Sequence, residues 1–138
     1  MLRYALYARK SDDDRKVTEK SIAEQVAALE EVARAHDLWV ARRFEESGSA
    51  MVPGRRPLFQ EMVRALRSGE VNAVLTWNVN RLARNMEEGG LIAQLFADGR
   101  LAEIRTPHET HRTGDNILPL VLQAATSTQF SIELARNV

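Results

Sequence analysis

The sequence contains no cysteine, which excludes disulfides and thiolate metal centres and is compatible with a reducing cytoplasm. It has no excess of charge of either sign: 19 basic residues face 19 acidic ones. A domain that grips duplex DNA alone usually carries a basic surplus, so the balance argues against that class. No long hydrophobic run is present. The longest uncharged stretch, Asn116 to Ile132, is broken by Pro119 and by Gln, Thr and Ser, and makes a poor membrane span. The start, MLRYALYARKSDDD, lacks the apolar stretch and small-residue cleavage site of a secretory signal. Internal repeats are missing, as are the glycine-rich GxGxxG and GxxxxGK[ST] loops of nucleotide-binding domains. These absences leave a soluble, cytoplasmic protein, and the 138 residues are enough for one domain with a substantial core.

What is present alternates in type. Residues 2–8 read as a strand. Ser21 with Glu24 forms a capping box, opening a helix whose apolar residues Ile22, Val26, Leu29 and Ala33 share a face and which ends near Asp37. Leu38 to Phe44 reads as a second strand. Pro57 suits the first turn of a second helix with a stripe of Leu58, Phe59, Met62, Val63 and Leu66, stopped at Ser68-Gly69. Val71 to Trp77 is almost continuously apolar, as a buried parallel strand is. A helix around Leu91, Ile92, Leu95 and Phe96 follows, its start weakened by Gly89-Gly90. Leu101 to Thr106 reads as a fourth strand, a polar loop leads to Pro119, and a last helix runs to the C-terminus. Such alternation implies an α/β fold: a mostly parallel sheet of about four to five strands flanked by helices. Trp39 and Trp77 fall in strands and are expected in the core. His108 and His111 lack the HExxH spacing of a helical zinc site, and no metal is expected.

In parallel sheets, sites gather at the carboxyl ends of the strands. The first strand delivers Arg9 and Ser11 there, the second Ser47, and the third Asn80, Arg81 and Arg84. Arg56 stands at the start of the second helix. One hydroxyl is thus expected among several permanent cations. Arginine is no ordinary base at neutral pH, but it clamps phosphate oxygens and offsets the charge that develops in phosphoryl transfer. A serine so surrounded can attack a phosphodiester once its proton is taken. No histidine lies near these motifs in sequence, so the proton acceptor is unassigned. Taken singly, each residue has an ordinary explanation. Ser11 suits a turn or cap, Arg9 and Arg56 suit solvated surface, Arg81 and Arg84 one exposed helical face, Ser47-Gly48 a turn, and Gln25 the flank of an apolar stripe.

Together the motifs resemble the serine site-specific recombinases, the resolvase and invertase family. YARKS (Tyr7–Ser11), Ser21-Ile22 with Gln25, EESGSA (Glu45–Ala50), RPLFQEM (Arg56–Met62) and NRLARN (Asn80–Asn85) occur in the family's order across nearly the whole chain. The long segment between Ser11 and Ser21 is most similar to the large recombinases of the phage integrase and transposase type. The resemblance implies that Ser11 attacks DNA and forms a 5′-phosphoserine link, releasing a 3′-hydroxyl, with no ATP, cofactor or metal. It implies that Arg9, Arg81, Arg84 and Arg56 are catalytic, holding and neutralising the phosphate, and that Gln25, Ser47 and Asn80 support the site. It further implies DNA as partner, a homodimer that becomes a tetramer in the synaptic complex, a catalytic domain over 1–115, and the start of a long dimerisation helix over 116–138. On that reading a DNA-binding region would lie beyond Val138.

Two positions depart from the family pattern: Asn80 stands where many members have Asp, and Gln129-Phe130 where resolvases have Glu-Arg. Asn cannot ionise, which opens a rival reading, an impaired oligomerisation or DNA-regulatory module on the same fold. A further rival is an unrelated α/β phosphate- or nucleotide-binding domain, for which the glycine-rich loop is missing. Asn80→Asp separates the first two. For an active enzyme the cleavage rate of the variant stays close to that of the parent. A large gain in a strand-cleavage assay would identify a crippled site.

Overall fold

The first strand, β1 (Arg3–Arg9), suits an interior place in the sheet, between two other strands, because its side chains are buried on both faces. The computed structural model describes residues 1–9, 21–46, 57–78, 82 and 86–112. Helix α1 (Ile22–His36) follows, then β2 (Trp39–Glu46), α2 (Pro57–Ser68), β3 (Ala73–Thr76), α3 (Met86–Ala97), β4 (Glu103–Arg105) and β5 (Thr110–Arg112). The strand order is β2-β1-β3-β4-β5. The pairs β1–β2, β1–β3 and β3–β4 are parallel, and β4–β5 is antiparallel. The expected α/β architecture is therefore present. The expected C-terminal helix over 116–138 lies outside the described residues.

Local signals set the boundaries. Ser21 caps α1, its hydroxyl accepting from the Glu24 N–H at 3.2 Å. At the other end Asp37 takes a left-handed conformation (φ 54°), and Leu38 N–H donates to the Ala33 carbonyl at 2.8 Å. Helix α2 ends at Gly69, whose φ of 84° suits a residue without a Cβ. Helix α3 starts at Met86, ahead of Gly89-Gly90; Glu87 and Glu88 occupy its first turn, where carboxylates complement the helix dipole. One strand was not legible in advance. β5 replaces the start of the expected loop because Thr106-Pro107-His108-Glu109 forms a tight turn. There Thr106 Oγ1 accepts from the His108 and Glu109 N–H groups at 3.3 and 3.0 Å.

Two cores cover the sheet. On one face α1 packs Leu29 and Ala33 against Tyr4, Leu6, Ala8 and Leu75. On the other, α2 and α3 pack Phe59, Met62, Leu66, Ile92 and Leu95 against Tyr7, Phe44 and Val74. A bulge in β2 sets which side chain goes where. Tyr4 pairs with Val40 but Ala5 pairs with Arg42, so Ala41 is an extra residue. Val40 consequently joins the α1 face while Phe44, four residues on, joins the α2 face. Trp39 is not in the core: it opens the edge strand and is 53% exposed. Helix α1 has ended by then, and Trp39 lines a surface groove with Arg34, Leu38 and Arg43. Trp77 lies one residue past β3, partly buried, edge-on to His108.

At the amino ends of the strands, register lines up Tyr4, Ala73, Glu103 and Arg112. The small Ala73 lets the Tyr4 hydroxyl reach across β3 to donate to Glu103, which is 1% exposed. Arg105 and Arg112 also donate to Glu103, at 3.3 and 2.9 Å. Burial pushes the Tyr4 phenol up to about 12, with the Glu103 carboxylate adding to it. Burial alone would raise Glu103, but the donors from Tyr4, Arg112 and Arg105 outweigh it and hold the carboxyl below its ordinary range. A carboxyl lowered by folding stabilises the protein above its unfolded pKa, and the contribution disappears as pH falls through the folded value. Glu103→Gln should therefore cost about 1.5–3 kcal/mol at pH 7, the worth of charge-assisted hydrogen bonds. In urea unfolding the parent and variant should converge as pH falls below the lowered Glu103 value.

Candidate active site

The order β2-β1-β3 makes the β1/β3 boundary a topological switch point: the chain leaves β1 to one side, returns, and continues on the other. Ligand crevices in open α/β sheets form at the carboxyl ends of strands at such a point. Three described residues stand there. Arg9 ends β1, Glu46 ends β2 as its direct ladder partner, and Thr76 ends β3 opposite Tyr7. The Thr76 hydroxyl donates to the Tyr7 carbonyl at 3.0 Å and ties the two central strand ends together.

Arg9 is 6% exposed, so it is not a solvated surface charge. Its backbone is fixed by a side chain from another layer. Gln25 on α1 is fully buried; its Nε2 donates to the Arg9 carbonyl at 3.0 Å, and its Oε1 accepts from the Arg9 N–H at 3.4 Å. One amide thus supplies an acceptor and a donor to the N–H and C=O of one residue, as a neighbouring strand would. Gln25 is not a flank residue. Its spacing from Ile22 and Leu29, three and four residues away, puts it on the buried stripe, and a polar residue there signals a specific hydrogen-bonding role.

Glu46 was missed as a site residue, although the EESGSA motif contains it. It is 3% exposed and sits on the α2 face with Phe44. Its Oε2 accepts from the Phe59 N–H at 3.0 Å and from the Tyr7 hydroxyl at 3.3 Å. Phe59 is the third residue of α2, in the first turn, where backbone N–H groups take partners from outside the helix. The residue before Pro57 is Arg56, which has no acceptor to offer as a cap. Glu46 caps the helix from a neighbouring strand instead. Tyr7 and Phe59 also meet ring edge to ring face, with centroids 6.2 Å apart. The outer carboxyl group of this strand end, Glu45, is exposed on the opposite face.

Of the residues expected in the site, the structure places Arg9 and Gln25 together. Ser11, Ser47, Arg56, Asn80, Arg81 and Arg84 lie outside the described residues. In the sequence Ser47 adjoins Glu46, Arg56 adjoins Pro57, and Arg81 adjoins Leu82, which is fully buried in the α2-face core. Among the described residues no group of His, Asp or Glu could hold a metal ion, and no helix is long and apolar enough to cross a membrane.

Solved structures with this fold are recombinase domains. The N-terminal catalytic domain of TP901-1 integrase is 22% identical, with a TM-score of 0.67, over 96% of this chain and 98% of that one. A resolvase family site-specific recombinase from Streptococcus pneumoniae is 19% identical, with a TM-score of 0.69, over 99% and 93%. The catalytic domain of ISC1926 TnpA, an IS607-like serine recombinase, is 20% identical, with a TM-score of 0.59, over 88% and 76%. No curated protein matches the sequence. The family model of the resolvase N-terminal domain matches residues 4–133, and the chain belongs to that family of recombinase enzymes.

The Gln25 clamp can be tested directly. Gln25→Ala leaves a buried donor and acceptor of Arg9 unmet and should cost about 1–3 kcal/mol in chemical denaturation. Gln25→Glu, nearly the same size, loses the donor to the Arg9 carbonyl and should be no better tolerated.

Proposed function

We propose that this domain performs site-specific DNA recombination by cutting and rejoining strands through Ser11. The observation that carries the reading is the buried Arg9, held by Gln25 at the carboxyl end of β1 beside the switch point. Ser11 follows Arg9 by two residues, a span of at most about 7 Å. A permanent cation buried at a sheet edge suits a phosphate oxygen. Arg56 precedes α2 in the sequence, Arg81 and Arg84 fall between β3 and α3, and the family match covers all of these positions.

In this reading Ser11 attacks the scissile phosphate, and the 5′ end of the DNA becomes esterified to it while a 3′-hydroxyl departs. The ester keeps the energy of the broken bond, so rejoining needs no ATP. Arg9, Arg81, Arg84 and Arg56 neutralise the phosphate as charge builds on it. Gln25, Ser47 and Asn80 support the geometry. The catalytic unit is residues 1–115, with 116–138 beginning a dimerisation helix. The enzyme acts in the cytoplasm as a dimer that pairs into a tetramer on DNA.

Ser11→Ala in the intact recombinase should abolish covalent protein–DNA adducts on a nicked duplex carrying its own crossover site, read on a denaturing gel. Adducts that persist without the hydroxyl would rule out Ser11 as the nucleophile.

A further inference from the structure

The turn between β4 and β5 brings an imidazole to the same end of the sheet as Arg9. Strand β4 runs parallel to β3 with Leu75 paired to Arg105, so Thr106 and Pro107 leave the sheet at its carboxyl end, level with Thr76 and Trp77. His108 comes next. Its backbone is fixed without help from its ring. Thr106 Oγ1 accepts from the His108 and Glu109 N–H groups, and the Thr106 N–H donates to the Glu109 carbonyl at 2.9 Å. Pro107 adds a fixed φ to the same turn. The His108 side chain is exposed and rests against Trp77, with ring centroids 6.3 Å apart and planes inclined at 68°.

The ordinary reason for a histidine in a hairpin is local hydrogen bonding, and His111 shows it: its Nε2 meets the Glu109 carboxylate at 2.9 Å. His108 differs, because among the described residues its ring nitrogens bond to nothing. The charged groups nearby are engaged elsewhere. Glu109 faces His111, and Arg105 donates to Glu103 at 3.3 Å. Among the described residues no carboxylate holds the imidazole, so an anion arriving from solvent meets no competitor there.

Place identifies the anion. Strand β3 lies between β1, which ends at Arg9, and β4, which leads to His108. Two strand spacings put the turn about 10 Å along the edge from Arg9. A DNA strand advances about 3.4 Å per nucleotide, so that separation is the advance of about three nucleotides. A duplex lying along this edge with one phosphate at Arg9 brings another to the turn.

We infer that His108 donates a ring N–H to a DNA backbone phosphate about three nucleotides from the scissile one, with Trp77 steadying the ring. The contact rests on the reading that DNA is cut at this edge. It reads no base; it sets where the duplex lies relative to Arg9. The phosphate is charged, which strengthens the bond, and a turn already closed by its own hydrogen bonds loses little freedom in making it.

The test is adduct formation by the intact recombinase on the nicked duplex over a range of DNA concentrations, with one phosphate at a time replaced by an uncharged methylphosphonate. In the parent, one replacement about three nucleotides from the scissile phosphate should raise the DNA concentration for half-maximal rate about tenfold. His108→Ala should raise it by a similar factor, and the same replacement should then cost the variant nothing further, as partners in one contact require. His108→Phe keeps a ring for Trp77 but no N–H, and should behave as the Ala variant does. His108→Arg keeps a donor and should stay near the parent. Parent affinity in the Phe variant overturns the contact, since packing alone would then suffice. So do methylphosphonate losses that are the same at every position in parent and Ala variant, or a loss that falls only on the maximal rate. Ser11→Ala is run beside them. Adducts without Ser11 defeat the reading of the edge itself, whereas adducts that need Ser11 but show no coupling to His108 defeat the contact alone.

Discussion

The carboxylate of Glu46 joins three elements at one point: its own strand β2, the phenol of Tyr7 on β1, and the Phe59 N–H in the first turn of α2. An anion is expensive to bury, and here hydrogen-bond donors and a helix N-terminus share its charge. The arrangement holds because β1 and β2 run parallel in a register that sets Arg9 against Glu46 and Tyr7 against Phe44. Slide that register and the cap of α2, the Tyr7–Phe59 ring contact and the seat of Arg9 are lost together.

Two buried glutamates divide the sheet by purpose. Glu103 lies at the amino ends of the strands, with donors on both oxygens, and its network of Tyr4, Arg105 and Arg112 stitches β1 to β4 and β5. Glu46 lies at the carboxyl ends with an oxygen left open among the described residues. A completed network can rigidify, because no further partner improves it. The contrast follows the chain topology, since only the carboxyl ends open on a switch point.

Much of this was legible in the sequence. Capping at Ser21, the Pro57 helix start and the apolar run before Trp77 each announced an element through local chemistry, and the alternation gave the parallel sheet. Of the site read from the motifs, Arg9 and Gln25 come together, and the other positions lie outside the described residues. Other features were hidden for identifiable reasons. Trp39 looked like core because composition does not say which strand is an edge. Strand β5 was hidden because its residues, Thr110–Arg112, are polar and its turn rests on one threonine hydroxyl. Gln25 was underweighted because its buried position follows from phase along α1, while its partner is a peptide in another element. Glu46 was passed over because a glutamate in a polar motif resembles a solvated one until the parity of β2 is known.

That parity is set by Ala41. A strand is read in steps of two, and the extra residue in β2 works like a frameshift: before it, even-numbered positions such as Val40 belong to the α1 layer, and after it Phe44 and Glu46 belong to the α2 layer. Were Ala41 to pair with Ala5 instead of bulging, every later residue would slip by one place, setting Glu45 opposite Arg9 and turning Glu46 to the other face. In this strand, spelling matters less than length, and the position that decides where the buried carboxylate points carries no functional group.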